Sequence, residues 1–91
     1  MISVVSVQCT SGGWPSQWEG RTSDGRPICV RYRSGYLSVR IGSKGESDGS
    51  MGEEVFGKVR GDDADGHLLY RDLQKETQGV VSWPSQEKKG R

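Results

Sequence analysis

The sequence predicts a mainly-β fold: one small domain built on a twisted antiparallel sheet or open barrel of five to six strands, with one short helix near residues 72–78. Three observations carry this expectation. Residues 28–33 and 37–41 alternate strictly between apolar and polar side chains, the period-two signature of a strand buried on one face. Between them stands Ser34-Gly35, a two-residue turn signal that joins the two runs as a hairpin. The chain has 91 residues, 31% hydrophobic, with 14 glycines, which suits a single domain, 1–91, with a small core.

The elements follow in chain order. Residues 2–9 (ISVVSVQC) are β-branched and roughly alternating, and read as a first strand. Residues 10–15 are a turn-rich connection, and residues 18–42 make a three-stranded meander. Closing its hairpin at Ser34-Gly35 sets Tyr32 opposite Leu37, Val30 opposite Val39 and Ile28 opposite Ile41. All six then share one face, which a slip of one residue would destroy. The earlier turn, Ser23-Asp24-Gly25-Arg26, is expected to close as a three-residue loop with a glycine bulge. That choice turns Trp18 inward opposite Tyr32 and pairs Glu19 with Arg31 outside; a two-residue loop would oppose Trp18 to Arg31. Pro27 has no N–H to donate, which fits the first residue of a strand.

Residues 43–52 (SKGESDGSMG) are Gly, Ser and charge, and are expected to form a flexible loop. Residues 53–60 read as a strand and residues 61–66 (GDDADG) as a turn. Residues 67–72 are expected to be a strand running into the short helix, with Leu69 and Leu73 at helical spacing. Val80, Val81 and Trp83 form a last short strand ended by Pro84, and residues 85–91 are expected to be a frayed polar tail. Aromatic residues bury the most area each, so Trp14, Trp18, Tyr32, Phe56, Tyr70 and Trp83 are the expected core. Trp-Pro-Ser-Gln occurs at 14–17 and again at 83–86, too short a match to mark a structural repeat.

Net charge is +1, so the chain lacks the global basic field of a histone-like protein. Its distribution is uneven. Residues 1–42 hold five Arg against two acids, residues 43–66 three bases against seven acids, and residues 67–91 five bases against three acids. The acidic segment is thus placed to fold over the basic sheet and neutralise it. Cys9 and Cys29 are too few for a disulfide scaffold. No basic start followed by a long apolar run marks a signal peptide, and no stretch has the length of a membrane span. A cytoplasmic protein with no membrane association is the expectation.

The sequence carries no motif for catalysis, cofactors or metals. A zinc site needs about four ligands, and the chain offers two isolated Cys and His67. Nothing links that His to a Ser or Cys nucleophile. Asp63, Asp65 and Gly66 match part of a calcium loop, yet its first position would be Gly61 and its last Asp72. Glycines in residues 42–52 lack the Lys-Ser/Thr ending of a phosphate loop. The expectation is a protein that is not an enzyme and needs no cofactor.

What remains is the outer face of the meander. Arg21, Arg31, Arg33 and Arg40 share it with Tyr36, Glu19, Cys29 and Ser38. Arginine presents a planar, permanently charged fork and, like Tyr, is enriched at binding hot spots. Arg21, Arg31, Arg33, Tyr36 and Arg40 are therefore the expected partner-binding residues, against the alternative of a solvated sheet face. A second candidate surface is acidic: Glu53, Glu54, Asp62, Asp63 and Asp65. The expected partner is a protein, with a nucleoprotein complex as one form of it. The competing class is a nucleic acid, with the arginines on phosphates and Tyr36 stacking a base. The open edges of the sheet also favour a homodimer.

In compactness and lack of motifs the chain resembles the small orphan proteins of phages and mobile elements, among them anti-CRISPR inhibitors of host defence. The resemblance covers size and style rather than particular residues. It implies an inhibitor that acts by steric blocking and not by chemistry.

Overall fold

A computed structural model describes residues 1–88. The chain makes strands β1 (Ile2–Gly12), β2 (Ser16–Thr22), β3 (Pro27–Arg33), β4 (Tyr36–Ile41) and β5 (Glu53–Val59), then helix α1 (Tyr70–Glu76) and strand β6 (Val81–Ser82). They form one six-stranded sheet, ordered β5-β4-β3-β2-β1-β6, curled into a half-barrel. Strands β1 to β5 are an antiparallel meander. The sheet is mixed rather than purely antiparallel, because α1 carries the chain from the β5 edge to the other edge, where β6 lies parallel to β1.

The β3–β4 hairpin has the register that its alternation implies: Tyr32 faces Leu37, Val30 faces Val39 and Ile28 faces Ile41. Ser34 and Gly35 both have positive φ, 52° and 78°, the backbone of a two-residue turn whose twist matches its strands. The β2–β3 register differs from the expected one. Trp18 pairs with Val30, not Tyr32, and Glu19 with Cys29, not Arg31. Thr22 is responsible. Its N–H donates to the Arg26 carbonyl at 2.9 Å and its Oγ1 accepts the Arg26 N–H at 3.0 Å, so the three-residue loop closes over residues 23–25 instead of 24–26. The shift is two residues, so Trp18 keeps its inward face. Pro27 begins β3 as its missing N–H suggests.

The concave face holds the core: Val4, Val7, Trp18, Ile28, Val30, Tyr32, Leu37, Val39 and Ile41 from the sheet, with Leu68, Leu73 and Val81 laid across them. In β1 a register shift between Val4 and Ser6 resets the alternation, so Val4 and Val7 both point inward while Val5 is exposed. Gly20, opposite Val7, is bare because a Cβ there would collide with the Ser6 carbonyl.

Two expectations are corrected. Residues 67–72 form no strand, since 67–69 are irregular and 70–72 already belong to α1; the buried pair is Leu68 and Leu73, while Leu69 is 43% exposed. Leu69 is the extended residue before the helix (φ −83°, ψ 151°), so its side chain falls outside the helical stripe. Trp14 is not in the core; it is 76% exposed at the corner between β1 and β2, with φ at 44° and a cis bond to Pro15. Trp83 and Tyr70 do pack there, edge to face at 6.5 Å, and Phe56 lies against the same cluster.

Helix α1 is tied to the β5 edge by charge. Glu76 accepts from Lys58 Nζ at 2.6 Å and from Arg60 Nε at 2.7 Å. Residues 85–88, expected within a frayed tail, return to β1. The Lys88 N–H donates to the Val7 carbonyl at 2.7 Å, and Glu87 accepts the Trp18 indole N–H at 2.8 Å. The rest of that tail, 89–91, lies outside the described residues.

Replacing Leu73 by Ala removes a fully buried side chain and is expected to cost about 2–5 kcal/mol in urea unfolding. The bonds from Lys58 and then Arg60 hold the Glu76 carboxyl below its ordinary value. A depressed carboxyl stabilises the fold above the unfolded value, about 4.3, and the gain is lost as pH falls through the folded one. Glu76→Gln is therefore expected to cost about 1 kcal/mol at pH 7, and the gap between variant and wild type to close in acid unfolding series below the carboxylate range.

Candidate functional site

The convex side of β3 and β4 presents the polar half of the alternation. Cys29 pairs with Arg40, Arg31 with Ser38 and Arg33 with Tyr36. Strand β5 adds a carboxylate to this group. A register irregularity beside the Val39–Phe56 pair turns Glu54 onto the convex side, opposite Arg40. Glu54 there accepts from Tyr36 Oη at 2.8 Å and Ser38 Oγ at 2.7 Å, and lies 3.6 Å from Arg40 Nη2. The bond from Ser38, then that from Tyr36, holds the Glu54 carboxyl below its usual range. The Tyr36 hydroxyl is pushed up, chiefly because it donates to that carboxylate. Gly57, opposite Ser38, leaves room for the contact: a Cβ there would run into Tyr36 Oη and Glu54 Oε2.

Residues 43–52 fold back over one end of this face. Arg21 Nη1 donates to the Glu46 carbonyl at 2.6 Å, and buried Gly49 packs against the backbone of Pro27 and Cys29. Between this loop and the sheet lies a cavity of about 380 Å³ whose lining includes Cys29, Arg31, Tyr36, Arg40, Met51 and Glu54. Cys29 is its floor. Burial pushes the Cys29 thiol up, with Glu19 and Asp48 adding to the effect. Met51, 94% exposed, forms the rim.

The fold thus gathers Arg31, Tyr36 and Arg40 around one cavity. Arg33 stands exposed beside Tyr36, and Arg21 is held apart under the loop. Internal neutralisation is partial. Arg40 contacts Glu54 and donates to the Gly52 carbonyl at 3.1 Å. Arg31 makes a 3.3 Å bond to the neutral Gln17 amide, and among the described residues neither Arg31 nor Arg33 is in an ion pair.

The five carboxylates of the second candidate surface are dispersed. Glu54 belongs to the convex face, Glu53 opens β5 opposite Ile41, and Asp65 accepts the Tyr32 hydroxyl. Asp62 and Asp63 stay exposed in the 61–66 loop. Among the described residues no three His, Cys, Asp or Glu side chains are placed to hold a metal ion, and no helix is long and apolar enough to cross a membrane. Sequence reasoning missed Ser50 and Met51, which line the cavity, and the role of Glu54. Gly57 was the one local signal, since a glycine inside a strand marks a bulge or a close approach.

No protein-family model, curated protein or solved structure matches the chain.

A buried thiol with a raised pKa is a poor nucleophile. Cys29 is expected to react with a thiol-specific chromogenic disulfide far more slowly than the same residue in urea-unfolded chain, as followed by absorbance with Cys9 replaced by Ser.

Proposed function

We propose that this is a non-catalytic interaction protein that binds a protein partner through the convex face, with Arg31, Arg33, Tyr36 and Arg40 as the principal contacts. One observation carries the reading. The face already binds a carboxylate, Glu54, through Tyr36, Ser38 and Arg40, while Arg31 and Arg33 beside it are without a counter-charge among the described residues. Surface complementary to one carboxylate and holding two further guanidinium groups suits an acidic protein segment. The cavity supplies a recess for an anchoring side chain, and Met51 is an adaptable lip. Arg21 is engaged by the loop and plays a supporting part. The mode of action in this reading is steric: the protein occupies a surface of its partner, as an inhibitor from a phage or mobile element would.

The competing reading assigns the same arginines to phosphates and Tyr36, 40% exposed, to a base. The Glu54 carboxylate under Tyr36 weighs against it, since it repels a phosphate backbone at the centre of the face.

The test combines affinity capture with anisotropy. Wild type is expected to retain a protein partner that Arg31→Glu/Arg33→Glu loses, a charge reversal at exposed positions that leaves thermal unfolding unchanged. Labelled single- and double-stranded oligonucleotides are expected to bind weakly. Micromolar oligonucleotide binding that Arg31→Ala/Arg33→Ala/Arg40→Ala abolishes would instead establish the nucleic-acid reading. Three neutralised phosphates give log K a slope of about −2.7 against log salt on duplex DNA.

A further inference from the structure

We propose a second interaction surface, at the end of the half-barrel, that receives a Lys or Arg side chain from a basic protein segment on the face of Trp14. It is independent of the convex face. Exposed tryptophans are uncommon, and Trp14 is 76% exposed while standing in a fixed position. Its N–H donates to the Gly66 carbonyl at 3.0 Å and its indole Nε1–H to the Ala64 carbonyl at 2.9 Å. Buried Gly66 packs against the Trp14 backbone so closely that a Cβ there would fall 2.9 Å from Trp14 Cα. The backbone at Trp14 has φ 44°, in the left-handed region that a bulky residue rarely occupies. Such conformations persist where surrounding contacts hold them, and they cluster at functional sites. Here the contacts hold a large aromatic ring out of the core and against solvent.

The chemistry of the partner follows from what surrounds the ring. Its N–H edge is taken by the 61–66 loop, so the indole face is the free part, and a cation sits best over that face. The loop that holds the edge brings Asp62 and Asp63, both exposed and, among the described residues, without an ion pair; Asp62 accepts the Ala64 N–H on Oδ1 at 2.9 Å, a bond to a neutral group that leaves its charge without a counter-charge. Asp65, the third carboxylate of the loop, is engaged by the Tyr32 hydroxyl and is not available. The loop is itself anchored, because the Asp65 carbonyl accepts the Gly35 N–H at 2.7 Å. A rigid aromatic face beside two unpaired carboxylates is complementary to an ammonium or guanidinium group. The same carboxylates disfavour a stacked nucleotide, whose phosphate they repel, and a purely apolar side chain, which would leave them to be desolvated without a partner.

The probe is the peptide acetyl-Gly-Arg-Gly-Lys-Gly-Arg-Gly-amide, titrated to millimolar concentration into the full ¹⁵N-labelled chain and followed by heteronuclear NMR. The Trp14 indole N–H and the amides of residues 62–66 are expected to shift and saturate, while the buried Trp18 indole stays in place. Asp62→Asn/Asp63→Asn is expected to weaken binding roughly three- to tenfold, as befits the loss of exposed charge pairs. Arg31→Ala/Arg33→Ala should leave the titration unchanged, which separates this surface from the convex one. Trp14→Ala removes the response; if that variant does not fold, the Asn double variant, which keeps the ring, decides the matter. The proposal is overturned if the cationic peptide leaves the Trp14 indole unmoved. It is equally overturned if the Asn variant binds as wild type does, or if a Glu/Asp peptide or an oligothymidine shifts Trp14 more than the cationic probe.

Discussion

Much of the molecule depends on Tyr32, whose ring is fully buried on the concave face while its hydroxyl reaches Asp65. Burial, together with the bond to that carboxylate, keeps the hydroxyl a proton donor, and the same bond holds the Asp65 carboxyl low. A side chain in the middle of the core thereby pins a charged surface loop. The loop in turn accepts the Gly35 N–H through the Asp65 carbonyl and carries the carbonyls of Ala64 and Gly66 that hold Trp14. The β3–β4 turn, the acidic loop and the β1–β2 corner are one assembly because a single phenol spans the distance from core to surface.

The two faces of the half-barrel divide the work. The concave face is filled by aliphatic residues with Trp18 and Tyr32, whose side-chain N–H and O–H donate to Glu87 and Asp65, and no buried side-chain nitrogen or oxygen among the described residues lacks a partner. Burying a polar atom without a partner is costly, and a core of this size has little stability to spare. The convex face, free of that constraint, retains guanidinium groups and a cavity. The edges are treated differently. The far edge of β1 is covered by β6 at one end and by Lys88 at the other. Strand β5 is left as the outer strand, but it is irregular, and its Lys58 together with Arg60 just beyond it is drawn to Glu76. Irregularity and edge charge both hinder strand addition.

Periodicity and turn chemistry were enough to assign the mainly-β class, the β3–β4 register and the inward face of Trp18. These are local properties: alternation decides which face a side chain takes, and Ser34-Gly35 closes only one way that keeps six apolar residues together. The same reasoning put Arg31, Tyr36 and Arg40 on one face, where they surround the cavity. The β2–β3 register lay beyond its reach, since a shift of two residues preserves every inward and outward assignment and only the Thr22 bonds to Arg26 select between them.

Tertiary structure alone decided the rest. The alternation of β5 does not reveal that an irregular pairing turns Glu54 toward Tyr36 and Ser38, because its direction depends on the neighbouring strand. Nor does Trp14 declare itself exposed: hydrophobicity argues for burial, and its place is set by carbonyls fifty residues along the chain. Glu87 reads as part of a polar tail until the chain returns across Trp18. Sequence determined which residues share a face, a matter of nearest neighbours. Which charges are neutralised, and which stand ready for a partner, was decided by contacts between distant segments that no local pattern encodes.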